Sequence, residues 1–163
     1  MLNRLVDSNI NRHARINLAN LHKPDMLISV HINQHDDTTY NGFEIDVADS
    51  LITKMDEKDT VYVNNPNKIK ARQMANVLCK NVANSFPKMH NRNVAIRKDK
   101  IWIIGAGDYP SLLLEFGFIS SKKDLFYLTD RKAIKKLARG IVATIYKELL
   151  PSTNLLKQKV IKV

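Results

Sequence analysis

The sequence predicts an α/β fold, a mixed, mostly parallel twisted sheet flanked by helices on both faces. Two short apolar runs bounded by turn-forming residues, 25–33 and 111–118, have the length and composition of buried strands. Segments with helical periodicity lie on either side of these runs. Together these observations indicate an open α/β sheet, whose active site is expected outside the carboxyl ends of its strands.

The run Ser111–Phe118 contains one ionisable side chain, Glu115, among leucines and aromatic residues. An ionised glutamate in a buried strand costs several kcal/mol unless it is paired, hydrated or bound to a cation. A structural salt bridge with a lysine or arginine, or a solvated strand end, would account for it. A catalytic carboxylate at the mouth of the sheet is the alternative interpretation, and it makes Glu115 the candidate catalytic residue.

The run Asp25–Asn33 has the same organisation, with His31 as the ionisable side chain near its end. A lone histidine of this kind is more often a hydrogen-bonded core residue than a metal ligand. A neutral imidazole is nevertheless a common zinc ligand, and a carboxylate beside a zinc-bound water is the usual general base of a metallohydrolase. His35 lies four residues further on, but the strand pattern argues against a helical His-x-x-x-His ligand pair.

Four segments are predicted to be helices, over residues 8–22, 65–86, 121–128 and 131–150. The first has Ser8 as its expected cap and buries the face Ile10, Ala14, Leu18 and Leu21. Asn65-Pro66 is typical of a helix start, and Ser121 begins a capping box. Gly140 in the last helix indicates close packing against the sheet.

Further strands are predicted at 42–47, 60–63, 93–97 and 100–104. The segment Gly42–Val47 alternates apolar with acidic residues, which is typical of a strand exposed on one face near a sheet edge. On this interpretation Glu44 and Asp46 are simply its solvated face.

Composition limits the class of protein. A chain of 163 residues fits one domain, and a net charge of +10 favours polyanionic surroundings such as an anionic cell wall, although no nucleic-acid motif is present. The single cysteine, Cys79, excludes an intramolecular disulfide and a cysteine-rich zinc site. No stretch is apolar enough to span a membrane, and Met1–Arg4 leads into polar sequence without a signal peptide.

Six groups of residues, in order along the chain, match a known family: Leu2–Asp7, Arg15 with Ala19-Asn20, Asp25–Asn33, Gly42–Glu44, Pro110–Ser120 and Leu137–Tyr146. The chain resembles the zinc-dependent N-acetylmuramoyl-L-alanine amidases of the type-3 catalytic domain, bacterial and phage enzymes that cut peptidoglycan. The resemblance implies that His31 is a zinc ligand and that Glu115 is the catalytic carboxylate. It also implies peptidoglycan as the partner and a secreted, periplasmic or wall-associated location.

The chain departs from this family at its start. The Gly-His-Gly-Gly strand and the glutamate-bearing helix that supply the other two zinc ligands are absent. His35, Asp36 and Asp46 are conceivable substitutes, but no geometric reason supports them. One histidine cannot hold a catalytic zinc, so the simplest interpretation is a fragment that is inactive alone. If the chain is a fragment, the missing signal peptide carries no information about location.

The resemblance therefore implies a catalytic domain over residues 1–150, incomplete at its N-terminus, followed by a basic tail or linker over 151–163. The implied reaction is hydrolysis of the amide between the lactyl group of N-acetylmuramic acid and L-alanine. A non-catalytic wall-binding or regulatory module that has lost its metal site is one alternative, and a basic nucleic-acid-binding protein with accidental motif matches is another. The oligomeric state is left open.

Overall fold

The computed structural model describes residues 10–50, 52–55, 60–62, 65–99 and 101–149. Within them the helices and strands follow one another in this order: α1 (Arg12–His22), β1 (Leu27–Asn33), β2 (Phe43–Ala48), β3 (Ile52–Met55), β4 (Thr60–Tyr62), α2 (Pro66–Ser85), β5 (Asn91–Arg97), α3 (Trp102–Gly105), β6 (Ser111–Phe118), α4 (Lys122–Leu128) and α5 (Arg131–Leu149).

The main sheet has four strands in the order β1-β6-β2-β5, and β3 pairs with β4 in a separate antiparallel hairpin. β1 runs parallel to β6 and β2 runs parallel to β5, whereas β2 and β6 are antiparallel. Helices α2 and α5 cover one face through the larger core cluster, and α3 packs on the other face. The predicted α/β architecture, a mixed and mostly parallel sheet with helices on both faces, is confirmed.

β6 is the most buried strand, and the prediction for 111–118 is confirmed along its whole length. All eight of its residues are buried because β1 and β2 flank it and both of its faces are covered. Leu112, Leu114 and Phe116 point into the larger core, and Leu113 packs with Ile104 of α3 on the other face. The face that carries Leu113 also carries Glu115, because side chains alternate along a strand.

Local signals place most helices correctly. The Asn65 side chain accepts a hydrogen bond from the backbone of Asn67 at the start of α2, and Ser121 does the same for Asp124 at the start of α4. The predicted face of α1 is wrong. Asn11 caps this helix and Ile16 is buried, whereas Leu21 is 76% exposed. The predicted cap, Ser8, lies outside the described residues.

Two strand predictions need correction. β1 is an edge strand of the described sheet rather than a strand buried on both faces, and Val30 and Ile32 are about half exposed. β2 is an interior strand rather than an edge, and its acidic face is not solvated, since Asp46 is only 3% exposed.

The segment around residue 102 and the last helix also differ from prediction. Trp102–Gly105 forms the short helix α3 instead of a strand. Gly140 of α5 makes no close contact, since a Cβ atom built there meets nothing within 4 Å. α5 packs through Ala133, Leu137 and Thr144, whereas Ile134 is 41% exposed.

No helix among the described ranges has both the length and the apolar character needed to cross a bilayer. Cys79 is buried in the core on α2. The tail over 151–163 and the first nine residues lie outside the described part of the chain, so the predicted domain boundaries stay predictions.

Candidate active site

The sheet brings the two candidate residues side by side. His31 of β1 is the register partner of Glu115 of β6, and Glu115 is in turn opposite Glu44 of β2. The three side chains therefore form one row across three adjacent strands. The row exists because β6 lies between β1 and β2, a strand order that puts two distant segments of the chain on either side of Glu115.

Glu115 is a buried carboxylate with one unused oxygen. The residue is 8% exposed, and its Oε1 lies 3.8 Å from Nδ1 of His31. Its Oε2 is buried without a hydrogen-bond partner among the described residues. Burial, reinforced by the negative charges of Asp46 and Glu44, raises the pKa of Glu115 to about 7, although Arg97 opposes the shift. A carboxylate with this pKa can both accept and return a proton near neutral pH.

Arg97 organises the acidic residues on the same face. Its guanidinium makes a bidentate contact with Asp46, with Nε 2.8 Å from Oδ1 and the second nitrogen 3.1 Å from Oδ2. The same group lies 3.4 Å from Oε1 of Glu44. Burial raises the pKa of Asp46, and the contact with Arg97 acts in the opposite direction. Arg97 thus compensates the charges beside Glu115 without touching the unused oxygen.

His31 is more open to solvent than Glu115. Its side chain is 42% exposed, and its Nε2 lies 3.2 Å from the Ser29 hydroxyl. Partial burial, together with the nearby charge of Arg15, lowers the pKa of His31. Both effects favour the neutral imidazole, which is the form that binds metals.

A zinc ion, which the family resemblance implies, would need three protein ligands and a water at a catalytic site. The described residues contain no group of three histidine, cysteine, aspartate or glutamate side chains that could hold a metal. The conceivable substitutes are engaged elsewhere: the Nδ1 of His35 accepts from the backbone of Asp37, and Asp46 is paired with Arg97. Asp36 is exposed. The donors present among the described residues do not fit a complete zinc site.

The sequence singled out His31 and Glu115, which the structure places side by side, but not the charged residues around them. Glu44, Asp46, Arg92 and Arg97 form the charged surroundings of Glu115, with Arg92 placed 3.7 Å from Glu44. The alternating acidic residues of β2 were a usable signal, but their partners come from β5 and only the strand order reveals them.

Comparisons with known proteins give a consistent result. The sequence profile of the N-acetylmuramoyl-L-alanine amidase family matches residues 1–147. No curated protein sequence matches the chain.

Solved structures share the fold. The amidase AmiC2 of Nostoc punctiforme superposes with a TM-score of 0.74 at 21% identity, over 91% of this chain and 71% of that one. An N-acetylmuramoyl-L-alanine amidase of Clostridium difficile 630 gives a TM-score of 0.73 at 21% identity, over 93% and 72%. Ami1 of Mycobacterium smegmatis gives 0.70 at 20% identity, over 90% and 64%. Since the family profile covers nearly the whole chain and the fold agrees, this protein belongs to the N-acetylmuramoyl-L-alanine amidase family.

Proposed function

We propose that this domain hydrolyses the amide between the lactyl group of N-acetylmuramic acid and L-alanine in peptidoglycan, with Glu115 as the general base. The observation that carries the proposal is that Oε2 of Glu115 is buried and has no hydrogen-bond partner among the described residues. The chain that contains this carboxylate belongs to an amidase family. A buried oxygen of this kind is costly for stability, and a catalytic role explains why it is there.

The reaction needs one proton to be moved twice. Glu115 takes a proton from water as the water oxygen bonds to the amide carbonyl carbon. The carbon–nitrogen bond then breaks, and Glu115 returns the proton to the departing nitrogen of L-alanine. The products are a lactyl carboxylate and a free amino group. A pKa of about 7 suits both steps, because the carboxylate is then neither too weak as a base nor too weak as an acid.

The neighbouring carboxylates support this role by adding to the effect of burial, which is the main cause of the raised pKa of Glu115. Glu44 and Asp46 both raise it, and Arg97 holds each of them in place. We therefore regard Arg97 as a positioning residue that acts through the carboxylates it binds.

The second part of the proposal concerns zinc binding. We propose His31 as one zinc ligand, with the remaining ligands supplied from outside the described residues. Elemental analysis of the purified chain, with a chelator-treated control, tests this directly. About one tightly held zinc per chain supports the proposal, and absence of zinc from a chain that still hydrolyses its substrate overturns it.

The catalytic assignment is tested by comparing the unaltered chain with Glu115→Gln on purified peptidoglycan. New amino groups on alanine are counted by derivatisation and mass spectrometry. We expect the substitution to lower the rate by about 100-fold or more, because general-base catalysis typically contributes that much. Glu148→Gln, on the exposed side of α5, is the matched control and should keep the full rate. A Glu115→Gln variant that retains the rate would overturn the assignment.

A second candidate is a non-catalytic module that binds peptidoglycan. The lack of a three-donor metal group among the described residues favours it. This candidate predicts that the chain sediments with insoluble peptidoglycan in the presence of a chelator and releases no amino groups. Release of amino groups by the unaltered chain would eliminate it.

A further inference from the structure

A pocket lies at the end of the sheet where β1 and β6 finish and β2 and β5 begin. Its volume is about 700 Å³, and the ionisable side chains that line it are Lys88, His90, Arg92 and Lys123. None of its described lining residues is a carboxylate. We call this feature the cationic pocket. A concave site with positive charge on several sides attracts anions more strongly than a flat basic surface does.

One wall of the cationic pocket is fixed in place by packing. The guanidinium of Arg92 stacks on the ring of Tyr40 at 3.5 Å and donates a hydrogen bond to the carbonyl of Asn41 at 3.2 Å. Tyr40 in turn packs edge-on against Phe118 at the end of β6. Because these contacts hold the arginine and the tyrosine in place, little side-chain freedom is lost when a ligand binds against them.

The backbone beside the lining residue His90 is closely packed. Gly42 has a φ of +106°, and a Cβ atom there would collide with the carbonyl of His90, which lines the pocket. The backbone N–H of Gly42 donates to the buried carboxylate of Asp124 at 2.8 Å. These contacts hold the backbone next to His90 in place.

Two of the cations are not engaged. Lys88 and Lys123 are exposed, and neither makes a hydrogen bond or ion pair with a described residue. Arg92, by contrast, lies 3.7 Å from Glu44. The two lysines are therefore the charges available to an incoming anion, and Arg92 adds a fixed positive potential behind them.

Arg92 links the pocket to the candidate active site. This residue lines the pocket and also contacts Glu44, which is the register partner of Glu115. The pocket and the row of side chains that contains Glu115 therefore meet at Arg92.

We propose that the cationic pocket binds carboxylates on the peptide side of the substrate, the part that begins with L-alanine. This inference rests on the proposed function and adds the direction in which the substrate lies. The two sides of the cut amide differ in charge: the lactyl carboxyl is consumed in the amide and the N-acetylated sugar is neutral, whereas a peptide ends in a carboxylate. Only the peptide side offers the charge that lysine and arginine recognise.

The test uses a peptide that contains no bond for the enzyme to cut, so that the unaltered chain can be studied. L-alanyl-D-glutamic acid and its form with both glutamate carboxyls amidated are titrated separately, and binding is followed by NMR. We expect the acid to bind about tenfold more tightly than the diamide at low salt. Equal affinity for the two peptides would overturn the proposal.

The double variant Lys88→Ala/Lys123→Ala should lose this preference, and Lys88→Glu/Lys123→Glu should reverse it in favour of the diamide. The charge-matched control Lys70→Ala/Lys80→Ala alters two exposed lysines of α2 that do not line the pocket, and it should keep the preference. A preference that survives in the first double variant would place the carboxylate elsewhere. A short DNA duplex that binds through these lysines while the acid peptide does not would also overturn the proposal.

Hydrolysis is measured separately on the same proteins. A chain that prefers the acid peptide but releases no amino groups from peptidoglycan would refute the proposed reaction and leave the pocket assignment standing. A chain that cuts peptidoglycan without preferring the acid peptide would refute the pocket assignment and leave the proposed reaction standing.

Discussion

Two buried carboxylates near β6 show opposite relations to their surroundings. Asp124 is 2% exposed, and one of its oxygens accepts hydrogen bonds from the backbone of Gly42 at 2.8 Å and of Phe118 at 2.9 Å. Glu115, on the strand itself, is 8% exposed and leaves Oε2 without a described partner. The first carboxylate ties α4 to the end of β6 and to the residue before β2, whereas the second makes no such link in the fold.

The comparison indicates how to separate structural from functional charges in this fold. A buried ionised group that is fully hydrogen-bonded is tolerated because its partners replace water, and removing it leaves those partners unsatisfied. A buried group with an unused oxygen lowers stability in the ligand-free chain. We therefore expect removal of the two carboxylates to change the free energy of unfolding in opposite directions.

Replacing Asp124 should have the largest effect on stability. Asp124→Ala leaves the buried N–H groups of Gly42 and Phe118 without an acceptor, and we expect a loss of about 4 kcal/mol in the free energy of unfolding. Urea denaturation followed by circular dichroism measures it. Asp36→Ala, an exposed aspartate at the same end of the sheet, should change stability by less than about 0.5 kcal/mol. A similar small change for Asp124→Ala would contradict the structural role assigned to this residue.

Replacing Glu115 should stabilise the chain, and the gain should depend on pH. A pKa of about 7 in the folded state, against 4.5 for an ordinary glutamate, means that the fold prefers the protonated form. The unaltered chain therefore loses stability as pH rises from about 4.5 to about 7, by about 3 kcal/mol in total. Glu115→Gln has no charge to bury and should not show this loss.

This prediction is checked by chemical denaturation in the presence of a chelator, which removes any bound metal. The free energies of unfolding of the Glu115→Gln variant and the unaltered chain should differ little below pH 4.5, and the variant should be the more stable above pH 7. A difference between the two proteins that does not vary with pH would show that Glu115 is solvated or paired in solution.

The sequence predicted the parts of the fold that depend on local signals. Pro110 and the serines after Ile119 set the limits of β6, and Asn65-Pro66 with Pro87 set those of α2. These features act through backbone conformation and capping, which neighbouring residues determine. The candidate pair His31 and Glu115 was found for the same reason, since each stands out within its own apolar run.

What the sequence did not predict depends on strand order. The acidic face of β2 follows a pattern typical of solvent exposure, yet Arg97, 51 residues away, covers Asp46. The cationic pocket likewise takes its lysines from separate segments, one after α2 and the other in α4. β1 has the composition of a buried strand but lies at the edge of the described sheet, and composition alone does not distinguish the two positions.

Lys68 extends the comparison to a buried cation that is fully hydrogen-bonded. It is 1% exposed, and its Nζ donates to the carbonyls of Ile104, Gly105 and Gly107 at 2.9, 3.4 and 3.4 Å. Burial still lowers its pKa to about 8, with Asp108 acting in the opposite direction. Neutral carbonyls therefore satisfy the donors of Lys68 without fully compensating its charge.

The sign of the resulting pH dependence is opposite to that of Glu115. Because the pKa of Lys68 is lower in the folded state than the ordinary 10.5, the unfolded chain binds more protons above pH 8. The unaltered chain should therefore gain stability relative to Lys68→Met as pH rises, by about 2 kcal/mol between pH 8 and pH 9.5. Using the difference between the two proteins cancels the titration of the cysteine and the tyrosines, which both contain. A difference in the free energy of unfolding that stays constant across this range would mean that Lys68 remains fully charged in the fold. Its three carbonyl partners would then stabilise a buried cation as completely as backbone N–H groups stabilise Asp124.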